Sequence, residues 1–214
     1  MKHTLITVLA SLAFCSVTYA VENVSTTKAS SDRLKLIPSV GFTYFNIQGS
    51  NSDFKAKSGS SVAALVQLPV DSDFVFETGL EYFEAQAKLS ETFGMFEIEY
   101  ATLKINYLAI PLRAIYNFNQ PAEQGTHWFA KAGITPSYVM SAKLDSVVGS
   151  GDVKSDLNSM TYLAHFGGGA DWQVAMGGRL STDLTYNYGL NKYSKEDSGV
   201  IAGINVQVGY SIEL

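Results

Sequence analysis

One cysteine, Cys15, is all that the 214-residue chain contains, and it stands in an apolar run near the N-terminus. The rest of the chain therefore has no disulfide framework and no thiolate chemistry. Histidine is scarce, with three in the sequence, so few positions suit imidazole metal ligation or base catalysis. Basic residues are also short: 15 Lys and Arg face 20 Asp and Glu. That balance argues against nucleic acid as a partner. After the first apolar run no segment resembles a transmembrane helix. Loop carboxylates such as Asp152 and Asp156 lack calcium-loop spacing, so neither a metal nor a cofactor is expected.

What is present begins with a leader. Lys2 and His3 precede the apolar stretch Leu5 to Cys15, and Thr18-Tyr19-Ala20 supplies a small-residue cleavage site, so residues 1–20 are expected to be a cleaved secretory signal peptide. Leu12-Ala13-Phe14-Cys15 departs from a lipoprotein box at Phe14. Cleavage after Ala20 removes Cys15 and also Lys2, which deepens the excess of acid. Residues 21–33, rich in Ser, Thr and Lys, have no periodicity and are expected to be a flexible periplasmic segment.

The far end of the chain alternates almost without a miss. Ile204, Val206, Val208, Tyr210, Ile212 and Leu214 share one face, and Asn205, Gln207, Gly209, Ser211 and Glu213 share the other. A side-chain period of two is that of a strand with one apolar and one wet face. The same test places strands at Leu34–Ile47, Val62–Val70, Phe74–Leu89, Glu99–Phe118, Trp128–Lys143, Tyr162–Ala175 and Arg179–Asn191, eight in all. Asp71-Ser72-Asp73 and Met176-Gly177-Gly178 are tight connections and Asn119 to His127 a moderate one. The regions around Asn51, Met95, Gly151 and Glu196 are longer. Short turns on one side and long loops on the other are the pattern of a membrane barrel. Trp128 with Tyr138, and Tyr162 with Trp172, lie ten positions apart on the outward parity. Ten residues at ~3.3 Å rise and ~45° tilt cover roughly 23 Å, close to an apolar band between aromatic girdles. The expectation is an all-β fold, an eight-stranded antiparallel up-and-down transmembrane β-barrel over residues 34–214.

The terminal octet Gln207-Val208-Gly209-Tyr210-Ser211-Ile212-Glu213-Leu214 resembles the C-terminal signal of bacterial outer-membrane proteins, with Gln207, Gly209, Tyr210, Ile212 and Leu214 at its patterned end and Leu where Phe is commoner. The strand Tyr107-Leu108-Ala109-Ile110-Pro111-Leu112-Arg113 and the glycine-containing strand Trp128 to Tyr138 are similar to those of the outer-membrane protein β-barrel domain family, small OmpA/OmpX-type barrels. The resemblance implies an outer-membrane location, outer-membrane lipid and the barrel assembly machinery as partners, and roles in envelope integrity, adhesion or surface interaction. It specifies a fold and not an activity.

The apolar parity flips between Tyr82 and Phe83, and again between Tyr107 and Leu108. Paired bulges at one height of the hairpin would explain both flips. The hairpin is then expected to project outward, tipped by Phe93, Met95 and Phe96 as contact candidates for an extracellular protein or surface ligand.

Inward parity collects Lys35, Glu77, Glu81, Arg113, Lys131, Asp171, Arg179, Asp183 and Glu213. So narrow a barrel is filled by its own side chains, so these charges must find partners. Mirror-pairing about the connections matches Glu77 with Arg113 and Lys131 with Asp171, and Lys35 and Glu213 are expected to meet near the periplasmic end, where the first and last strands close the barrel. A network of this kind plugs the lumen. The expected function is therefore a monomeric structural or surface-interaction barrel without catalysis. A small charge-lined pore is the alternative. A lipid-modifying enzyme is the third reading, with His165, Ser137 opposite it and Asp145 beyond as its candidate set.

Overall fold

The computed structural model describes residues 33–48, 54–93, 96–118, 126–174, 178–196 and 198–214, with the side chains of 91–98 left out. The expected leader, and all of the expected lead-in except Arg33, lie outside the described residues. Among those described, ten strands occur: β1 Lys35–Gln48, β2 Phe54–Pro69, β3 Phe74–Phe93, β4 Phe96–Ala109, β5 Leu112–Asn117, β6 Thr126–Ser146, β7 Gly149–Asp152, β8 Met160–Gln173, β9 Arg179–Gly189 and β10 Val200–Glu213. β4 and β5 are two halves of one stave, interrupted at Ile110 and Pro111, where proline lacks the N–H that the ladder needs. β7 is a short flap on β6. The remaining pairings are antiparallel between neighbours, and β1 pairs with β10 from Lys35↔Glu213 to Gln48↔Val200, so the sheet closes into a ring of eight staves. Closure leaves no edge along the staves, which is what a hydrocarbon environment demands of strands.

The tight turn between β2 and β3 has a local cause. The Asp71 carboxylate accepts from the backbone N–H of Asp73 (2.9 Å) and of Phe74 (2.8 Å), and Val70 N–H donates to Phe74 O at 2.9 Å. An aspartate that satisfies the backbone two and three residues ahead is a turn former. The described chain ends, Arg33 and Leu214, lie at this same end of the ring, which by the barrel pattern is periplasmic.

The outer face is apolar and uncovered. Val40, Phe42, Val62, Ile134, Phe166, Leu184 and Val206 all project outward. In water that would be a very large adhesive patch; in hydrocarbon it is the required surface. Phe74, Tyr116, Phe118 and Trp128 border it below, and Tyr44, Tyr82, Tyr138, Tyr162 and Tyr188 above. Tyr82, Leu108 and Tyr138 are successive cross-strand neighbours and mark the upper boundary. No helix among the described residues is long and apolar enough to cross a membrane.

The parity flips do not come from paired bulges. Register between β3 and β4 is unbroken from Glu81↔Ala109 to Leu89↔Ala101, straight through the expected position. What changes is the surroundings. Below the boundary the outer face of β3 carries Phe74, Phe76, Leu80 and Tyr82 and the inner face Glu77 and Glu81; above it the outer face carries Glu84, Gln86 and Lys88 and the inner face Phe83, Ala85 and Ala87. The outside passes from lipid to water and the inside from a polar layer to an apolar core, so the pattern inverts while the backbone keeps its phase. The shifts lie elsewhere: β2 carries an extra residue between Lys57 and Ser61, β4 one at Tyr100 opposite Leu89 and Ser90, and β6 one at Met140 opposite Asn106 and Tyr107.

The apolar core sits at the extracellular end. Phe45, Ile47, Phe83, Leu103, Ile105, Tyr107, Val139 and Ile201 fill it. Phe83 stacks between Phe45 (ring centroids 5.6 Å apart) and Tyr107 (4.9 Å). Two loop residues, Leu157 and Tyr193, are drawn into the same core.

Candidate functional site: the barrel interior and its extracellular end

Inside the membrane layer, β3, β5, β6 and β9 aim five charges at one another. Arg113 and Glu77 are direct cross-strand neighbours, with Nη1 3.2 Å from the carboxylate, and the other guanidinium nitrogen lies 2.7 Å from Glu81. Lys131 lies 2.8 Å from Asp183 and 4.0 Å from Glu77. Neutral groups complete the shell. Gln67 donates to Glu77 at 2.9 Å, and Asn205 and Gln207 donate to Glu81 at 3.0 and 2.7 Å. Gln207, which opens the terminal octet, is thus also an interior donor, buried at 2% exposure.

These long side chains fit because glycines stand beside them. Arg113 is opposite Gly133, Lys131 opposite Gly167, Asp183 opposite Gly169 and Gln207 opposite Gly41. A Cβ at Gly133 would meet Leu112 O and Arg113 Cα, and one at Gly167 would meet Thr185 Cα. The Gly167-Gly168-Gly169 run is thus explained by bulky neighbours and close strand approach, not by phosphate binding. Gly79, between Glu77 and Glu81, has φ 150°, a conformation that side-chain-bearing residues rarely adopt.

The expected pairing of Lys131 with Asp171 is not found. Lys131 faces Gly167, four residues from Asp171, whose strand neighbours are His127 and Ser181. Mirror-pairing fails because the β6–β8 connection is not a plain loop: it folds into β7 and a short 3₁₀ turn, Lys154–Asp156, and β6 carries its bulge. Asp171 and Arg179 remain near the periplasmic end, where an Arg179 guanidinium nitrogen donates to Asp171 O at 3.3 Å. Lys35 and Glu213 are backbone neighbours at the closing seam, but the carboxylate lies 4.0 Å from Arg33, an exposed contact of little energetic weight.

The hydrolase-like set is also separated. His165 faces Gly133 and Asn187, with Nδ1 2.8 Å from the Asn187 side-chain oxygen, whereas Ser137 pairs with Thr161 and donates to Thr135 O at 3.2 Å. Asp145 is engaged on the outer surface by Lys104, 2.9 Å away. Among the described residues no group of three or more His, Cys, Asp or Glu is arranged to hold a metal.

At the extracellular end two loops lock over the apolar core. Leu157 bridges Ser194. Asn158 donates to Lys192 O (2.8 Å) and Ser194 O (3.1 Å), and the Lys195 ammonium donates to Ser155 O at 2.6 Å. A cavity of about 10 Å³ is lined by Phe45, Ile47, Ala85, Leu103, Ile105 and Ile201 of the apolar core, with Asn46, Gln86 and Ala87. That is room for roughly one water at most. Sequence reading missed this cap because loop residues carry no period.

Above the boundary β3 and β4 stay paired as far as Phe93↔Phe96, so the hairpin does project as a sheet. Met95 lies outside the described residues, and so do the side chains of Phe93 and Phe96. On the outer face of this projection Lys57 bonds Glu99 at 2.7 Å and, with Thr102, holds that carboxyl below its usual range; hydrogen bonding by Asp145 raises Lys104.

Comparison with known proteins agrees with this architecture. The model of the outer membrane protein beta-barrel domain matches residues 26–195. No protein of curated function matches significantly. Among solved structures, Neisserial surface protein A superposes with a TM-score of 0.51 at 13% identity, over 87% of this chain and 100% of that one. The N-terminal β-barrel domain of Pseudomonas aeruginosa OprF gives 0.46 at 14% (85% and 98%). Ail, the attachment invasion locus protein of Yersinia pestis, gives 0.44 at 13% (85% and 99%). At 13% identity the first of these speaks for the fold alone, and no argument rests on the other two. With most of its length matched by the family model and its strands closed into the corresponding ring, this chain belongs to the outer membrane protein beta-barrel domain family.

Proposed function

We propose that this outer-membrane barrel is a closed, monomeric scaffold that acts through its extracellular end, in surface interaction or envelope integrity, and does not conduct. The filled interior carries this reading. Arg113 bonds Glu77 and Glu81 of the neighbouring stave, Asn205 and Gln207 of β10 reach Glu81 and Lys131 reaches Asp183 from non-adjacent staves, and the core around Phe83 and Tyr107 closes the lumen above. An ion path needs waters, and these side chains occupy their place. Purified protein in planar bilayers is expected to show no single-channel steps; steady conductance would favour the small-pore reading. Lipid modification is the remaining alternative, and acyl analysis of lipid A from cells with and without the protein would reveal it.

The candidate contact region is the hairpin tip, Phe93, Met95 and Phe96. Its support is positional. β3 and β4 carry Phe93 and Phe96, the two residues that flank Met95 in sequence at this tip, beyond the membrane boundary on paired backbone, where large apolar side chains have no lipid to face. Changing all three to Ser is expected to abolish binding to cells or matrix while heat-modifiable gel mobility, which reports the folded barrel, stays the same. Undiminished binding by the folded variant eliminates the tip.

A further inference from the structure

The five charges that meet in the lumen do not sum to zero. Arg113 and Lys131 supply two positive charges and Glu77, Glu81 and Asp183 three negative ones, 2 − 3 = −1. Widening the count to the nine inward charges leaves the same excess, because Lys35 and Arg179 offset Asp171 and Glu213. His165 does not make up the difference: its Nδ1 lies on the Asn187 oxygen, its Nε2 has no partner, and it bonds none of the three carboxylates. An unbalanced charge held away from water is costly, so a network this enclosed calls for one further positive charge.

Hydrogen bonding shows where the deficit falls. Glu77 has Arg113 and Lys131 on Oε1 and Gln67 on Oε2, and Glu81 has Asn205 and Gln207 on Oε1 and Arg113 on Oε2. Asp183 has Lys131 on Oδ2 alone, and its Oδ1 is buried without a partner. Its side chain is 10% exposed against 2–3% for the other four, so it is nine-tenths buried and yet the member nearest to water. Gln207 stands directly opposite it on β10. Toward the periplasmic end the next inward positions are Ser181, Gly209 and Ser39 in one row, then Ser211 opposite Arg179. Small hydroxyl side chains thus line the approach, and Ser39 Oγ and Ser211 Oγ are likewise buried without a partner.

We propose that Asp183 Oδ1 binds a monovalent cation that enters from the periplasmic end past Ser211, Ser39 and Ser181. Asp183 supplies the charged ligand. Gln207, whose amide nitrogen is on Glu81, offers its amide oxygen, Ser181 offers a hydroxyl, and water completes an all-oxygen shell of the kind hard cations take. Charge selects the valence: one positive charge brings the network to zero, whereas a divalent ion would overshoot to +1. The apolar core around Phe83 and Tyr107 closes the barrel above, so the site is a dead end and not a path. The inference rests on the filled lumen and not on the surface role, and bilayer conductance tests the closed lumen separately.

The test uses the full chain folded in uncharged detergent, with sodium as the probe ion and urea unfolding followed by heat-modifiable mobility as the readout. Ionic strength is held constant while sodium chloride is exchanged for the chloride of N-methyl-D-glucamine, a bulky organic cation. Wild type is expected to gain about tenfold in its folded-to-unfolded ratio when sodium stands at about ten times its dissociation constant. Asp183→Asn, which keeps the side-chain shape and removes the excess charge, is expected to unfold at the same urea concentration in both salts. Equal stability of wild type in the two salts overturns the proposal and assigns the missing charge to a proton. A sodium dependence that Asp183→Asn retains in full also overturns it, by placing the ion on surface carboxylates. Should Asp183→Asn fail to fold, Glu77→Gln decides, because it removes the same excess charge while leaving Asp183 in place. Loss of most of the sodium dependence then supports the site, and an undiminished dependence overturns it.

Discussion

Arg113→Glu is expected to unfold the barrel at much lower urea than wild type. The change removes the cation held 3.2 Å from Glu77 and 2.7 Å from Glu81 and puts a carboxylate in its place, in an interior where all three residues are 2% exposed. Losing one partner of a buried pair typically costs ~3–5 kcal/mol, and a reversal adds repulsion to that loss. Asp183 stands close by on Lys131, 2.8 Å away, so the added negative charge meets three carboxylates in the neighbourhood and a single remaining lysine. Adding Glu77→Arg should recover part of the stability but not all, because Glu81 would still face the new glutamate. The measurement is equilibrium urea unfolding of the two single variants and the double. Strict additivity would show that the pair does not interact.

The second large effect is expected at the closing seam. Ile212 lies at the end of β10 and Leu214 just follows it; Lys35↔Glu213 is the last backbone pair and Leu214 N–H donates to Leu34 O at 2.9 Å. Deleting Gln207 to Leu214 would remove the partner of β1 from Lys35 to Gly41 and of β9 from Arg179 to Asp183. It would also remove the Gln207 donor to Glu81. Open edges in hydrocarbon leave N–H and C=O groups that lipid cannot satisfy. The deletion is expected to leave the protein in the periplasm for degradation. Changing Ile212 and Leu214 to Asp should do the same through the assembly machinery, because near the membrane interface the direct cost of a carboxylate on the lipid face is only ~0–1 kcal/mol. Outer-membrane fractions are compared with wild type by heat-modifiable mobility, and normal levels of either variant would contradict the expectation.

Which parts of this molecule were legible in one dimension follows from what a period of two can report. Along β10, lipid lies on one side and the polar layer on the other for nearly the whole strand, so the alternation from Ile204 to Ile212 identifies both the strand and its faces. β2 was recognised only from Val62, although it begins at Phe54. Above the membrane boundary its outer face is lysine and serine, and a search for apolar alternation passes over it. The nine inward charges were assigned by the same parity. The five that meet, Glu77, Glu81, Arg113, Lys131 and Asp183, could not be told from the four left near the periplasmic end, because parity gives a face and not a height.

Chain order and side-chain chemistry by themselves determined an antiparallel barrel, its lipid face and its closing strand, since each depends on neighbours two residues apart or on turns a few residues long. Only the tertiary structure decided who pairs with whom and where the environment inverts. Register across the β6–β8 connection depends on the β7 flap and the Met140 bulge, which bring Lys131 to Asp183 instead of Asp171. The inversion of the apolar pattern between Tyr82 and Phe83, on a backbone of unbroken phase, depends on the outside turning from lipid to water while the barrel mouth is closed by Leu157 and Tyr193. Both are long-range facts. They are set by closure of the ring and by the height of the membrane, and neither is encoded in the local period of any one strand.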